Sequence, residues 1–334
     1  MFYEEHPFAQ YVRILGKGRK GSRALSEQEA YESMRMILSN EVSPEQLGAF
    51  LMLMRVKEEN AEELTGFVNA VNTHITIPDS APTVQLDWSS YAGKRRQLPW
   101  FILSALTLVE NGIRVFMHGA SGHTNGRIYT KDVLSKLGLS PCSTIDEACQ
   151  HLTTSNFAYL DIEHLCPKLH HIIELRPLLG LRSPVHTIAR MINPFRAPYL
   201  IQGIFHPGYQ PTHQQAALRL EQPHMAVVKG DGGEIERNPD LDCLVQSVHN
   251  GVMSDETWPA MFKLRHVKDS EMNTDRLSQL WRGEIEDEYA NAAIIGTLAI
   301  ALKLMDKANS INAAETLATD MWNARRKDKY GVAA

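Results

Sequence analysis

The hydrophobic pattern changes once along this 334-residue chain, between residues 75 and 82. Before that point apolar residues recur at three- and four-residue spacing, which is typical of amphipathic helices, and no run alternates as a strand does. Ser26 with Glu29, and Ser43 with Gln46, have the capping-box spacing that marks a helix start. The pattern therefore predicts a small all-helical domain that is followed by something different.

After residue 82, short apolar runs alternate with helical patterns. The strand-like runs cover residues 84–88, 113–119, 157–163, 199–205 and 225–230. Such alternation favours an α/β fold with a central, mainly parallel sheet. A helical segment that carries arginines interrupts it, and we expect that segment to pack back on the first helices. The predicted domains are a helical domain over 1–78 joined by 168–194, and an α/β domain over 79–167 and 195–334.

The net charge argues against a nucleic-acid-binding protein only when it is taken as a sum. The chain has 34 Lys and Arg against 39 Asp and Glu, a net of −5. However, residues 13–23 and 175–196 together contain nine Lys and Arg and no acid, whereas pairs such as Glu58-Glu59 concentrate the acids elsewhere. A positively charged cleft is therefore compatible with the negative total, since local fields depend on how charge is distributed.

The cellular setting is predicted from what the sequence lacks. None of the four cysteines has CxxC spacing, so we expect reduced thiols rather than a metal or redox pair. The N-terminus has no basic region followed by an apolar one, and the longest apolar stretch, 292–302, is too short to span a bilayer. We expect a cytoplasmic protein with no membrane partner.

Two loops that follow predicted strands could bind anions, because ligands of α/β sheets bind beyond the carboxyl ends of the strands. The loop 89–99 has one glycine followed by Lys94, Arg95 and Arg96, so it would attract phosphate through side-chain charge rather than backbone N–H groups. The loop 117–127 is rich in glycine and contains His118 and Arg127. The alternatives are a solvated basic turn and a flexible loop.

Two further segments are basic throughout. Residues 175–196 contain Arg176, Arg182, Arg190 and His186, and guanidinium groups match phosphate and carboxylate geometry. Their alternative is a set of arginines along a helix surface. The flexible loop before the first capped helix contains Lys17, Arg19, Lys20 and Arg23.

One acidic segment, 229–239, follows a predicted strand. Asp231, Glu234 and Glu236 could hold Mg²⁺ together with water molecules. The alternative is a tight acidic turn, which the Gly232-Gly233 pair favours.

The order of these segments resembles the anthranilate phosphoribosyltransferase family over roughly residues 8–305. The likeness rests on the helical start from LSEQEAYESM onward, on ELRPLLGLRS with Arg176 and Arg182, and on Asn193-Pro194. The resemblance implies a small helical domain, a larger α/β domain of the nucleoside phosphorylase type, and a homodimer formed through the helical domain.

The departures from that family concern its phosphate chemistry. The glycine-rich GTGGD-type loop is replaced by SSYAGKRRQ, the KHGN motif by MHGA at 117–120, and the Asp-Glu magnesium pair by Glu234-Ile235. Without these groups the pyrophosphate leaving group of phosphoribosyl pyrophosphate is poorly stabilised, since such chemistry depends on positioning and charge neutralisation. We therefore expect no catalytic residue and no cofactor.

A divergent bacterial DNA-binding branch of the family shares these replacements. The likeness rests on Ser90-Tyr91, Gly93 to Arg95, the run 180–195, His206-Pro207 with Tyr209, and GEIERNP. It implies nonspecific DNA or RNA binding in a basic groove between the domains. The predicted binding residues are Lys17, Arg19, Lys20, Arg23, Tyr91, Lys94, Arg95, Arg96, His118, Arg127, Arg176, Arg182, His186 and Arg190.

The alternative is an active phosphoribosyltransferase that acts on anthranilate or another aromatic acceptor. Arg176 would hold the acceptor carboxylate, Lys94 to Arg96 would hold pyrophosphate, and Asp231, Glu234 or Glu236 would hold Mg²⁺. A third possibility is a structural dimer without a ligand.

Overall fold

The computed structural model describes residues 4–267, 269 and 271–331. Its first part is helical, as the sequence predicts, with α1 Ala9–Gly16, α2 Glu27–Leu38, α3 Pro44–Lys57 and α4 Ala61–His74. The capping boxes at Ser26 and Ser43 are confirmed. A third capping box, at Asn60, was not predicted; its Glu63 carboxylate also binds the Lys57 ammonium group at 2.6 Å.

A seven-stranded sheet forms the centre of the second part. The strands are β1 Leu86–Ser90, β2 Val115–Gly119, β3 Phe157–Asp161, β4 Tyr199–Ile204, β5 His224–Lys229, β6 Cys243–His249 and β7 Val252–Trp258. Their spatial order is β3-β2-β1-β4-β5-β6-β7, and the pairs from β3 to β5 are parallel. The predicted fold class, a small helical domain with a larger and mainly parallel α/β domain, is confirmed.

Helices cover both faces of the sheet. They are α5 Phe101–Glu110, α6 Thr130–Leu134, α7 Ile145–Ser155, α8 Ile162–Leu165, α9 Pro167–Glu174, α10 Arg176–Leu179, α11 Val185–Ile188, α12 Gln210–Arg219, α13 Asp275–Arg282, α14 Glu288–Leu304 and α15 Ile311–Asn323. One apolar core lies between the sheet, α5, α14 and α15, and a second joins α8, α9 and α11 to the first helices. The domain boundaries at 78, 167 and 194 stay a prediction.

The chain crosses the sheet in a way that fixes where a ligand can bind. It runs outward from β1 to β3 and then returns to place β4 on the other side of β1. The loops that leave β1 and β4 therefore diverge at the carboxyl edge, and such a switch point is where open α/β sheets form a crevice. The predicted anion-binding loops 89–99 and 117–127 follow β1 and β2 and lie at this edge.

Two other observations concern the whole chain. Across residues 4–267, 269 and 271–331, every helix falls short of the length and apolarity needed to cross a bilayer. All four cysteines are free thiols, as the sequence predicts.

Candidate nucleic-acid interface

Lys94 does not line an anion-binding loop, and this corrects the sequence prediction. Its side chain is fully buried, and its ammonium group donates hydrogen bonds to Asp231 and, at 2.5 Å, to Glu236. The second oxygen of Glu236 accepts the Phe101 N–H at the start of α5, at 2.8 Å. The turn that follows β5 folds over the loop that follows β1, residues 91–100, which we call the β1 loop. The lysine therefore lies between two carboxylates instead of pointing to solvent.

The same contacts answer whether these acids fit the Mg²⁺ that the family resemblance implies. Asp231 and Glu236 share the single buried ammonium group of Lys94, and burial raises the pKa of Glu236 to about 7. A divalent cation would have to displace a lysine that has no exposed surface, and a buried charge without its partner is strongly unfavourable. The donor set therefore does not fit Mg²⁺.

Glu234 has a different role, which the sequence did not indicate. Its Oε1 accepts the N–H groups of Ala92 and Gly93, both at 2.6 Å. The β1 loop thus does present converging N–H groups, contrary to the expectation of side-chain charge alone, but a carboxylate of the chain itself occupies them. The turn can pack so closely because Gly203 has no side chain: a Cβ there would lie 2.5 Å from the Glu234 carbonyl carbon.

Tyr91 and His118 are buried, and neither can contact a nucleic acid. The Tyr91 hydroxyl lies 2.8 Å from Nδ1 of His118, whose Nε2 lies 3.0 Å from Asp87 Oδ1. Burial raises the pKa of Tyr91 and of Asp87. These three groups form an internal polar chain beneath the β1 loop, so their contribution to any ligand site is support rather than contact.

Arg176 and Arg182 meet over the loop that follows β2. The Arg176 guanidinium group donates to the His123 carbonyl at 2.9 Å and to Thr124 Oγ1 at 2.6 Å, and Arg182 donates to the same Thr124 oxygen at 3.3 Å. The sequence prediction missed His123 and Thr124, although it singled out their glycine-rich loop. A loop of small residues can approach two guanidinium groups closely.

Arg127 and Arg190 complete the group. Arg127 donates to the carbonyl of Ala92 at 2.6 Å, and Arg190 donates to the carbonyl of His186. Arg127, Arg176, Arg182 and Arg190 form no salt bridge with any described residue, and we call these four residues the arginine cluster.

The arginine cluster is electrostatically frustrated. Burial and the other three arginines lower the pKa of Arg182 to about 10. Burial, followed by the charges of Arg182, Arg190 and Arg176, lowers the pKa of His123 to about 4. His186 is affected most by burial and then by Arg190, which lower its pKa to about 3. Positive charge therefore gathers at this edge, and no carboxylate of the described residues makes a salt bridge with it.

A cavity of about 400 Å³ opens beside the cluster, between the sheet edge and the helical domain. Arg182, His186 and Arg190 line one side, and Glu58 and Glu59 at the end of α3 line the other. We call the arginine cluster together with this cavity the cleft. Its walls come from both parts of the chain, as a groove between the domains requires.

The remaining predicted residues are not members of the cluster. Arg95 and Arg96 are exposed beside it on the β1 loop and make no salt bridge within the described ranges. Lys17, Arg19 and Lys20 are exposed after α1. Arg23 makes a two-fold pair with Glu29, at 2.6 Å for each contact. The structure therefore does not join loop 17–23 to the cluster.

Comparisons with known proteins agree with this architecture. Residues 10–74 match the helical bundle domain of a glycosyl transferase family, and residues 102–324 match the a/b domain of a glycosyl transferase family. An uncharacterized protein of Aquifex aeolicus (strain VF5) is 30% identical over 267 residues, covering 79% of this chain and 80% of the relative. The anthranilate phosphoribosyltransferase of Haemophilus influenzae (strain 86-028NP) is 27% identical, covering 88% and 90%.

Solved structures show the same fold. The crystal structure of anthranilate phosphoribosyltransferase from Thermus thermophilus superposes with a TM-score of 0.78 at 20% identity, covering 95% of this chain and 94% of that one. Since both of its parts match in sequence, and the arrangement of helical bundle and sheet matches in space, the chain belongs to the glycosyl transferase family of anthranilate-phosphoribosyltransferase-like proteins.

Proposed function

We propose that this protein binds DNA or RNA nonspecifically, through phosphate groups in the cleft. The observation that carries the proposal is the arginine cluster, in which four guanidinium groups converge without a carboxylate in salt-bridge reach among the described residues. Guanidinium groups bind phosphate oxygens in a two-fold geometry, and a bound polyanion would relieve their mutual repulsion. Arg95 and Arg96 extend the positive surface outward from the cluster.

The proposed binding is directed at the nucleic-acid backbone. Contacts to phosphate position a protein on nucleic acid but carry no sequence information. Tyr91 is buried and cannot stack on a base, whereas Phe205 lines the cavity with 49% of its surface exposed. An exposed aromatic ring supports stacking of an unpaired base, which is tolerant of sequence. We therefore expect single strands to bind at least as well as duplexes.

An active phosphoribosyltransferase is the alternative. The sequence similarity to the anthranilate phosphoribosyltransferase of Haemophilus influenzae favours this alternative. The contacts between the β1 loop and the turn after β5 oppose it, since Lys94 occupies the two carboxylates and Glu234 occupies the N–H groups of the β1 loop. Arg176 is available to an acceptor carboxylate only if it gives up its hydrogen bonds to the loop after β2. We expect no Mg²⁺-dependent transfer and no cofactor.

The proposal includes a homodimer formed through the helical domain, in the cytoplasm. A mainly apolar groove runs between α1 and α3, lined by Ala9, Val12 and Ala49 with Arg13 and Glu45 at its sides. A second copy could cover this groove, and two clefts on one dimer would strengthen binding to a long polyanion. Light scattering after gel filtration tests the dimer, and a monomer at micromolar concentration would contradict it.

Free thiols agree with a reducing compartment such as the cytoplasm.

The binding test is a titration of a fluorescent oligonucleotide, single- and double-stranded, at several salt concentrations. A parallel assay uses anthranilate, phosphoribosyl pyrophosphate and Mg²⁺. Binding at micromolar concentration or tighter, with a steep salt dependence and no product, supports the proposal. No binding at low salt, or robust turnover, contradicts it.

Two variants show where the polyanion binds. Arg182→Ala removes one charge from a group of like charges, so the fold should tolerate it while affinity falls for all sequences alike. Arg95→Ala/Arg96→Ala should flatten the salt slope by up to about two, at about 0.9 for each phosphate contact. Lys94 stays unchanged, because it is buried. The matched control is Lys307→Ala/Lys327→Ala, which removes two exposed charges that do not line the cavity and make no salt bridge among the described residues.

A further inference from the structure

Two histidines face each other at the edge of the sheet opposite the cleft. His224 begins β5 and His249 ends β6, and the two are directly opposite in the antiparallel register. Directly opposite residues project from the same face, with their Cβ atoms about 4.5–5.5 Å apart. The Nδ1 atoms of the two rings lie 2.9 Å from each other. Two imidazoles are thus held where one ion can bind both.

A carboxylate from another layer joins them. Asp306 follows the end of α14, and its Oδ2 lies 3.3 Å from Nε2 of His249. One ligand atom from each of the three residues can be chosen so that all lie within 4.8 Å of one another. Bonds of about 2.0–2.2 Å to a tetrahedral ion put neighbouring ligand atoms about 3.4 Å apart. The two short contacts use different nitrogens of His249, so binding requires the His249 ring to turn until one nitrogen faces both partners.

We propose that His224, His249 and Asp306 bind one Zn²⁺ ion. Imidazole nitrogen and carboxylate oxygen are both zinc ligands, and two imidazoles favour zinc over the harder cations Mg²⁺ and Ca²⁺. Three protein ligands leave a fourth position for water. The ion would link the β5–β6 edge to the turn between α14 and α15, across two layers of the fold.

The surroundings support an oriented ligand set. The Tyr199 ring stacks on the His224 ring with centroids 4.7 Å apart and an interplanar angle of 22°. A cavity of about 410 Å³, lined by His249, Asp306 and the acids Asp255 and Glu256, leaves room for water beside the ion.

The test is a titration of metal-stripped full-length protein with Zn²⁺ by calorimetry and with Co²⁺ by visible absorption. We expect one ion per chain and the intense visible bands of tetrahedral Co²⁺. His224→Ala and His249→Ala should each weaken Zn²⁺ binding at least about tenfold. Asp306→Asn should do the same while keeping the backbone, because asparagine tolerates the positive φ of 54° at this position.

The control is His171→Ala, since His171 is an exposed histidine on α9. It should leave affinity and stoichiometry unchanged. Zn²⁺ should also raise the Tm of the wild type and the control but not of the three site variants, as linkage requires of an ion that binds only the folded state. Absence of Zn²⁺ binding to the wild type overturns the proposal. Wild-type affinity for Zn²⁺ in both Asp306→Asn and one of the two histidine variants, each tested as a single substitution, also overturns it.

Discussion

At the scale of single residues, Lys94 and Glu234 determine how charge is balanced around the β1 loop. Lys94 places one positive charge between Asp231 and Glu236, and Glu234 supplies the carboxylate that accepts the N–H groups of the β1 loop. Both have their main partners within the chain. The arginine cluster has no salt bridge among the described residues, and two of its members, Arg182 and Arg190, line the cavity.

Replacing Lys94 tests the first of these contacts. Lys94→Met leaves two carboxylates without their cation, and losing one partner of a buried ion pair costs about 3–5 kcal/mol. We expect a loss of this size in the free energy of unfolding, measured by urea titration. Lys131→Met, whose salt bridge to Asp161 is 3.7 Å long and partly exposed, should cost less than about 1 kcal/mol. Equal effects of the two substitutions would contradict the assignment.

Replacing Glu234 tests the second contact, which joins its carboxylate to the β1 loop. Glu234→Gln removes a negative charge that acts on Arg190 and Arg127, while its amide oxygen can still accept the N–H groups of Ala92 and Gly93. Affinity for an oligonucleotide should therefore rise several-fold in the anisotropy titration at fixed salt. Unchanged or weaker binding would show that this carboxylate does not oppose the ligand.

At the scale of elements, the close approach of two backbones fixes how α2 and α4 pack in the helical domain. Gly66 of α4 lies against α2 so tightly that a Cβ would stand 2.2 Å from the Glu27 carbonyl oxygen. The two helices thus touch backbone to backbone at this glycine. Their relative position, and with it the wall of the cleft that α3 contributes, depends on the absence of one side chain.

A pair of glycine substitutions tests this contact. Gly66→Ala should lower the free energy of unfolding by about 1–3 kcal/mol or more, because the added methyl group overpacks the interface. Gly48→Ala is the matched control: nothing lies within 4 Å of a Cβ on this glycine of α3. It should stabilise the protein by about 0.5–1 kcal/mol through helix propensity. Urea unfolding distinguishes the two, and opposite signs are expected.

Most elements were predictable, and one that was missed is instructive. The sequence prediction missed the β6–β7 hairpin because β7 is exposed over most of its length and shows no apolar alternation. A signal was present in the turn: Asn250-Gly251 joins the strands in two residues, with φ of 49° and 80°. Asn-Gly is favoured in such turns because both residues must adopt positive φ.

At the scale of the whole molecule, the net charge of −5 describes neither edge of the sheet. The cleft concentrates positively charged side chains, and burial together with their charge lowers the pKa of His123 and His186. His186 is the clearest case, since burial and Arg190 bring its pKa to about 3 against about 6.5 for an unfolded histidine. The free energy of folding is therefore linked to pH through this region.

The sign of that linkage is testable. Between about pH 6.5 and the lowered pKa the unfolded chain binds more protons than the folded one at this histidine, so its contribution to stability is lost as pH falls. We expect a lower urea midpoint at pH 5 than at pH 7.5, and a smaller difference in His186→Gln. A variant with the same pH dependence as the wild type would contradict the assigned pKa.

The sequence by itself determined the fold class, the helix starts and the placing of basic segments after strands. These follow from periodicity and capping, which are local and need only a few neighbouring residues. The tertiary structure alone decided which charges remain available. Glu234 meets the β1 loop from 142 positions away along the chain, and Lys94 meets Glu236 across the same separation. Ion pairs form over a few ångströms, and no local pattern specifies which distant residues will come that close.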